Sequence, residues 1–219
     1  MNEKDKRAKI DIPSPQDNYE TALKIVIEKL GALDLAERVE AAGATWLASQ
    51  DIAQIKMLGR NLHLTVSDLD VTDPAGGEVE LWEKILLLHY LLQATGKTPT
   101  GQLISYKEIP DGRSYWPNFV ARVHQPLLAA FASNPQLLHS AAARFDGVPC
   151  DGGDAAVLVS ALPRVDIIYI VYKGDDEFEP QAACLFDETI TDYLPAEDIT
   201  MLAGMTAIKM LKASMEGKS

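Results

Sequence analysis

The chain has 219 residues, 47% hydrophobic and 24% charged, the balance of a soluble globular protein. A chain of this length buries roughly 70% of its unfolded surface, so neither a disulfide nor a structural metal is needed for stability on grounds of size. With 20 basic against 32 acidic residues the net charge is −12, a field that repels phosphate backbones and argues against nucleic acid as a partner.

Residues 1–13 are charged and then broken by proline, which reads as a flexible N-terminal tail. Met1 to Arg7 has no apolar segment behind it, so no signal peptide is expected. No apolar run approaches the length of a membrane span, and a cytoplasmic protein is the natural expectation. Ser14 and Pro15 start a first helix, in which Tyr19, Leu23, Val26, Ile27 and Leu30 follow helical spacing until Gly31. Asp34 caps a second, ending at Gly43. Residues 52–58 and 62–67 read as strands around Gly59, Arg60 and Asn61, with Leu62, Leu64 and Val66 alternating with polar neighbours. Pro74 to Gly77 is a turn. The third helix runs from about Glu78 to Thr95; apolar nearly all round, it belongs at the centre of the fold.

Residues 103–109 read as a strand that ends at Pro110, Asp111 and Gly112. Ser114 caps a helix carrying Phe119, Val123, Leu127 and Phe131, which Pro126 kinks or splits. Asn134 and Pro135 start another, ending at Gly147, and residues 148–154 form a loop. Residues 155–162 stay open between strand and helix. Residues 165–172 form the strongest strand, turning at Lys173 to Asp176 and pairing with residues 182–186. Pro195 opens the last helix, with Ile199, Leu202, Ala203, Thr206 and Met210 on one stripe, and residues 214–219 form a C-terminal tail. Helices and strands mix without βαβ alternation. This implies one α+β domain over residues 14–213, with antiparallel strands and hairpins packed on a buried central helix and several amphipathic helices.

No glycine-rich dinucleotide fingerprint, phosphate loop, GxSxG elbow, HExxH helix or EF-hand loop occurs, which counts against the commonest nucleotide-binding, hydrolase and zinc-protease chemistries. The two cysteines, Cys150 and Cys184, form no CxxC pair and cannot alone hold zinc or an iron–sulfur cluster. Asp175, Asp176 and Glu177 crowd the hairpin turn, and Asp187 closes the returning strand. If the hairpin pairs in register these lie at opposite ends, so a single calcium or magnesium site using both is hard to build; solvated turn acids are the plainer reading. His89, on the most apolar helix, reads as a hydrogen-bonded core histidine or as a ligand that would need company. Tyr115 and Trp116, beside Arg113 at a helix start, read as core anchors or as a wall for a planar ligand.

Four stretches together resemble the bacterial and archaeal family called domain of unknown function 3786. They are Leu88-His89-Tyr90-Leu91-Leu92 with Gly96; Tyr115 to Phe119 with Arg122 and Pro126; Gly153 to Ala156 with Leu162 to Val165; and Gly174 to Phe178 with Leu185-Phe186-Asp187 and Tyr193 to Asp198. The resemblance spans about residues 18–211, and the chain departs from it at Tyr172, Glu179 and Ala196. It implies the company of anaerobic metabolism, where such proteins are joined to or encoded near a four-cysteine iron–sulfur module similar to that of corrinoid proteins. With two cysteines this chain lacks that module, so an iron–sulfur or corrinoid protein is expected as a separate partner. Arg113, Arg122 and Arg164 lie inside the resembling stretches and suit either structural ion pairs, Arg164 with Asp187 or Asp175, or an anion site.

Three functions follow as expectations. The first is a ligand-, cofactor- or partner-binding accessory protein, its cofactor unspecified. The second is a small enzyme using carboxylates with Arg164, Arg113 or His89, which predicts a pocket lined by those residues. The third is an interaction domain acting through the acidic hairpin, which predicts an exposed apolar patch beside it.

Overall fold

The computed structural model describes residues 15–216; the expected N-terminal tail lies outside them. Helix α1 (Pro15–Gly31) is followed by α2 (Leu35–Ala41), where Asp34 caps as expected: its carboxylate accepts the amides of Ala36 at 3.0 Å and Glu37 at 3.3 Å. A first antiparallel sheet follows in the order β1 (Thr45–Leu47), β2 (Ile52–Met57), β3 (Arg60–Thr65) and β4 (Val71–Thr72). Met57 pairs with Arg60, so the β2–β3 turn is Leu58 and Gly59, one residue earlier than the sequence suggests. Both take left-handed φ angles, 49° and 78°, as a two-residue hairpin turn matched to strand twist requires. A leucine tolerates this because its N–H donates to Ala161 O at 3.1 Å, tying the turn to the second sheet.

Helix α3 (Leu81–Gln93) begins at a capping box between Glu80 and Glu83 and is buried over most of its surface. Glu83, only 1% exposed, is reached by Arg60 Nη2 at 2.7 Å and Lys209 Nζ at 3.4 Å, and also accepts the amide of Glu80 at 3.1 Å. That ionic knot joins the first sheet, α3 and the last helix. Tyr90 is a second fastening: its hydroxyl donates to Ala42 O at 2.6 Å and accepts the N–H of Arg164 at 3.1 Å.

The strand expected over 103–109 stops early. β5 (Leu103–Ser105) gives way to a 3-10 turn over Tyr106–Glu108, because the Glu108 carboxylate accepts both the amide and the hydroxyl of Ser105 at 2.8 Å. The next helix is capped by Asp111 rather than Ser114. Asp111 takes a φ of 62°, its carbonyl accepts the amides of Ser114 and Tyr115, and the helix opens at Gly112, where a Cβ would lie 1.9 Å from Tyr106 O. Helix α4 (Gly112–Phe119), a π turn (Val120–His124) and α5 (Gln125–Phe131) form one continuous rod, so Pro126 widens the helix instead of breaking it. Then come α6 (Leu137–Ala143), β6 (Val148–Cys150), β7 (Ala155–Leu162), β8 (Val165–Tyr172), β9 (Gln181–Asp187) and α7 (Ala196–Glu216). β6 replaces part of the expected loop, since residues 148–150 find an antiparallel partner in β7. α7 runs past residue 214, where a tail was expected.

The second sheet has the order β5-β9-β8-β7-β6, all antiparallel, with β8 in the middle. One face packs under α5, α6 and α7, where the Tyr169 hydroxyl donates to Ala203 O at 3.0 Å. Buried apolar residues from Val26 to Ala213 form one continuous cluster. The architecture is α+β with antiparallel strands. No helix among the described residues is long and apolar enough to cross a membrane.

Candidate functional site

A groove of about 620 Å³ runs along α7. Met201, Gly204, Met205 and Ile208 recur every three or four residues and so share the helix face that lines it. Leu81 and Trp82 from the first turn of α3, Tyr19 from α1 and Arg122 from the π turn complete the lining. The volume falls within the roughly 300–1,000 Å³ typical of small-molecule sites, and the two methionines supply adaptable surface.

The π turn explains how Arg122 reaches α7. Pro126 has no N–H to offer the Arg122 carbonyl four residues before it, and the Gln125 amide reaches back five residues to Val120 O. The widened turn brings the Arg122 carbonyl against α7 at Gly204, where a Cβ would stand only 3.0 Å from it. Most other polar groups of the groove are spent. Glu80 Oε2 accepts the indole N–H of Trp82 at 2.9 Å, and Thr200 Oγ1 is bonded to the Tyr106 hydroxyl and the Ala196 carbonyl at 2.7 and 3.0 Å. Arg122 differs. Among the described residues, Arg38, Arg60 and Arg144 have carboxylate partners, whereas Arg113, Arg122 and Arg164 have none within 4.0 Å.

Of the residues singled out from the sequence, Arg122 lines that groove and the others do not converge on it. His89 Nδ1 stands 2.7 Å from Asp198 Oδ2, in the first turn of α7, so Asp198 orients an imidazole as well as facing the helix N-terminus. Arg113 and Tyr115 are exposed on α4. Trp116 lies beneath Lys107, whose Nζ is 4.2 Å from the ring centroid, and stacks on buried Phe119 at 5.8 Å; the indole serves as a core anchor. Asp175, Asp176 and Glu177 are exposed at the β8–β9 tip, where Asp175 Oδ1 accepts the amides of Glu177 and Phe178, both at 2.8 Å. Tyr172 pairs with Gln181 near the tip and Ile167 with Phe186 near the far end, so the tip and Asp187 stand roughly 20 Å apart along the strands. Arg164 and Asp187 do share a cavity, of about 420 Å³, but no ion pair joins them, and Asp175 is not Arg164's partner either.

Titration behaviour separates these groups. The amides of Glu177 and Phe178 hold Asp175 below the usual carboxylate range. Burial pushes Asp187 up, but the hydroxyl and amide of Thr189 and the amides of Gly101 and Thr100 outweigh it and hold the carboxyl low. His124, on the π turn, is pulled down to about 4 by burial first and by the Lys107 charge second, and its Nε2 is buried without a partner. Burial and Asp151 raise the Cys150 thiol, and burial raises Cys184 further, so neither is an activated nucleophile. No group of three or more His, Cys, Asp or Glu side chains among the described residues is placed to hold a metal ion.

Sequence reasoning missed the groove because its lining comes from four separated segments whose helical spacing is also that of core residues. A mid-helix glycine at 204 and a proline at 126, each costly in a helix without a packing reason, were the available signals. No curated protein and no solved structure matches the chain. The family described as Domain of unknown function (DUF3786) matches residues 34–209, most of the chain, and the protein belongs to that family.

Proposed function

We propose that the protein is a binding protein whose α7 groove takes an apolar molecule bearing one anionic group. The observation that carries this reading is an apolar groove of ligand size with Arg122, a cation without a carboxylate partner among the described residues, in its lining. Trp82, Met201, Met205 and Ile208 would cover the apolar body, and the guanidinium would take a carboxylate or phosphate as a two-pronged donor. Decanoate and decanol are the test pair. Decanoate stabilises the protein in a thermal-shift titration, by about 2.7 kcal/mol at 100 times its Kd, and decanol binds about tenfold more weakly. Arg122→Gln erases the difference between the two. No stabilisation by decanoate, or an unchanged preference in Arg122→Gln, refutes the proposal.

The interaction-domain reading has one observation of its own: Tyr172 and Phe178 are 43% and 64% exposed beside the acidic tip. A photo-crosslinking residue at position 178 that captures no partner in cells removes it. The small-enzyme reading draws least from the geometry, since His89, Arg113 and Arg164 stand on α3, α4 and the β7–β8 turn.

A further inference from the structure

The second cavity, of about 420 Å³, lies on the face of the β5–β9 sheet away from α7. Leu158, Ile168 and Leu185 are in direct cross-strand register and lay an aliphatic row across β7, β8 and β9. All three are half-buried.

Two carboxylates lie beside that row, two residues along the strands from Ile168 and Leu185. The β8–β9 pairing ends at Ile167 and Phe186, and continuing its register one step brings Asp166 and Asp187, which both line the cavity, next to each other. Like charges directly opposite on a sheet destabilise it. Among the described residues, neither aspartate has a Lys or Arg within 4.0 Å. Their bonds come from neutral donors: the Ser160 hydroxyl to Asp166 at 2.6 Å, and to Asp187 the Gly101 amide at 2.6 Å with the Thr189 hydroxyl and amide at 2.7 and 3.0 Å. Arg164, in the β7–β8 turn, lines the same cavity and has no carboxylate partner among the described residues, in a chain with 12 more acids than bases. Its Nε is buried and unbonded, and its backbone is fixed by the Tyr90 hydroxyl. Cation and anions are thus held near one another yet unpaired.

We infer that this cavity is a binding site for a free α-amino acid with an aliphatic side chain, its carboxylate on Arg164, its ammonium between Asp166 and Asp187, and its side chain on the Leu158–Ile168–Leu185 row. A simple anion would meet two carboxylates, and a simple amine would leave the arginine unanswered; a zwitterion answers both. The inference is independent of the α7 groove, which is lined by other residues.

Isothermal titration with L-leucine tests it, beside L-leucinamide, which lacks the carboxylate, and N-acetyl-L-leucine, which lacks the ammonium. Leucine binds saturably, and each analogue binds at least about tenfold more weakly. Arg164→Met and Asp166→Asn each weaken leucine at least about fivefold. Asp166 is exposed, so its variant folds even if Arg164→Met does not. In the wild type, amide NMR shifts on leucine addition map to Leu158, Ile168 and Leu185. No saturable heat with leucine, isoleucine, valine or methionine up to roughly 10 mM, equal binding of leucinamide or N-acetyl-leucine, or unchanged affinity in Asp166→Asn overturns the inference.

Discussion

His124 should make the protein sensitive to acid in a window that its carboxylates do not share. Its imidazole sits in the π turn against Trp116 and Phe119, at ring distances of 5.3 and 5.5 Å, where the like charge of Lys107 disfavours a proton on the ring. Burial and that lysine lower its pKa from 6.5 to about 4. A histidine of this kind takes up its proton in the unfolded chain before it does in the folded one. The stability it confers is therefore complete above pH 6.5 and drains away as the pH falls toward 4. Between pH 7 and 5 that difference in proton uptake amounts to about 2 kcal/mol. Urea melts of wild type and His124→Gln at both pH values read the difference directly. The carboxylates held low, Asp175, Asp187 and Glu108, lose their contribution only at lower pH and equally in both proteins, so they cancel. Wild type loses about 2 kcal/mol more than the variant on going to pH 5, and the His124 ring titrates near 4 by NMR. Equal losses in the two proteins, or a ring titrating near 6.5, would refute the reasoning.

Glu83→Ala removes the anion that Arg60 and Lys209 share and leaves half-buried cations facing each other, so unfolding free energy drops by about 3 kcal/mol in urea, with the far-UV spectrum retained. A drop under about 1 kcal/mol would mean the knot is spanned by solvent. Gly204→Ala gains about 1 kcal/mol of helix propensity yet lowers the melting temperature, because its methyl would press on the Arg122 carbonyl at 3.0 Å. A rise in melting temperature would show that the π turn yields.

What could be read from the sequence followed local periodicity. The β8–β9 hairpin is carried by a β-branched and aromatic run with a turn signal, and α3 by apolar residues on every side; both stand where expected. Asp34 announced a helix start and is one. The failures were tertiary. Ser114 looks like a cap, but Gly112 packed on Tyr106 starts the helix sooner. Pro126 signals a kink, but nothing nearby says that a five-residue turn will absorb it. Sign of charge offers Arg164 to Asp187 or Asp175; sheet register instead sets Asp187 beside Asp166, and no local pattern encodes register across strands. Asp198 and His89, more than a hundred positions apart, meet only because α3 and α7 pack side by side.

The Tyr90 hydroxyl carries a consequence for the second cavity. One phenol on the innermost helix holds the backbone of Arg164, while the two aspartates arrive with the strands alone. Removing that hydroxyl, as in Tyr90→Phe, therefore loosens the backbone at Arg164 and leaves the β8–β9 register that carries the two aspartates in place.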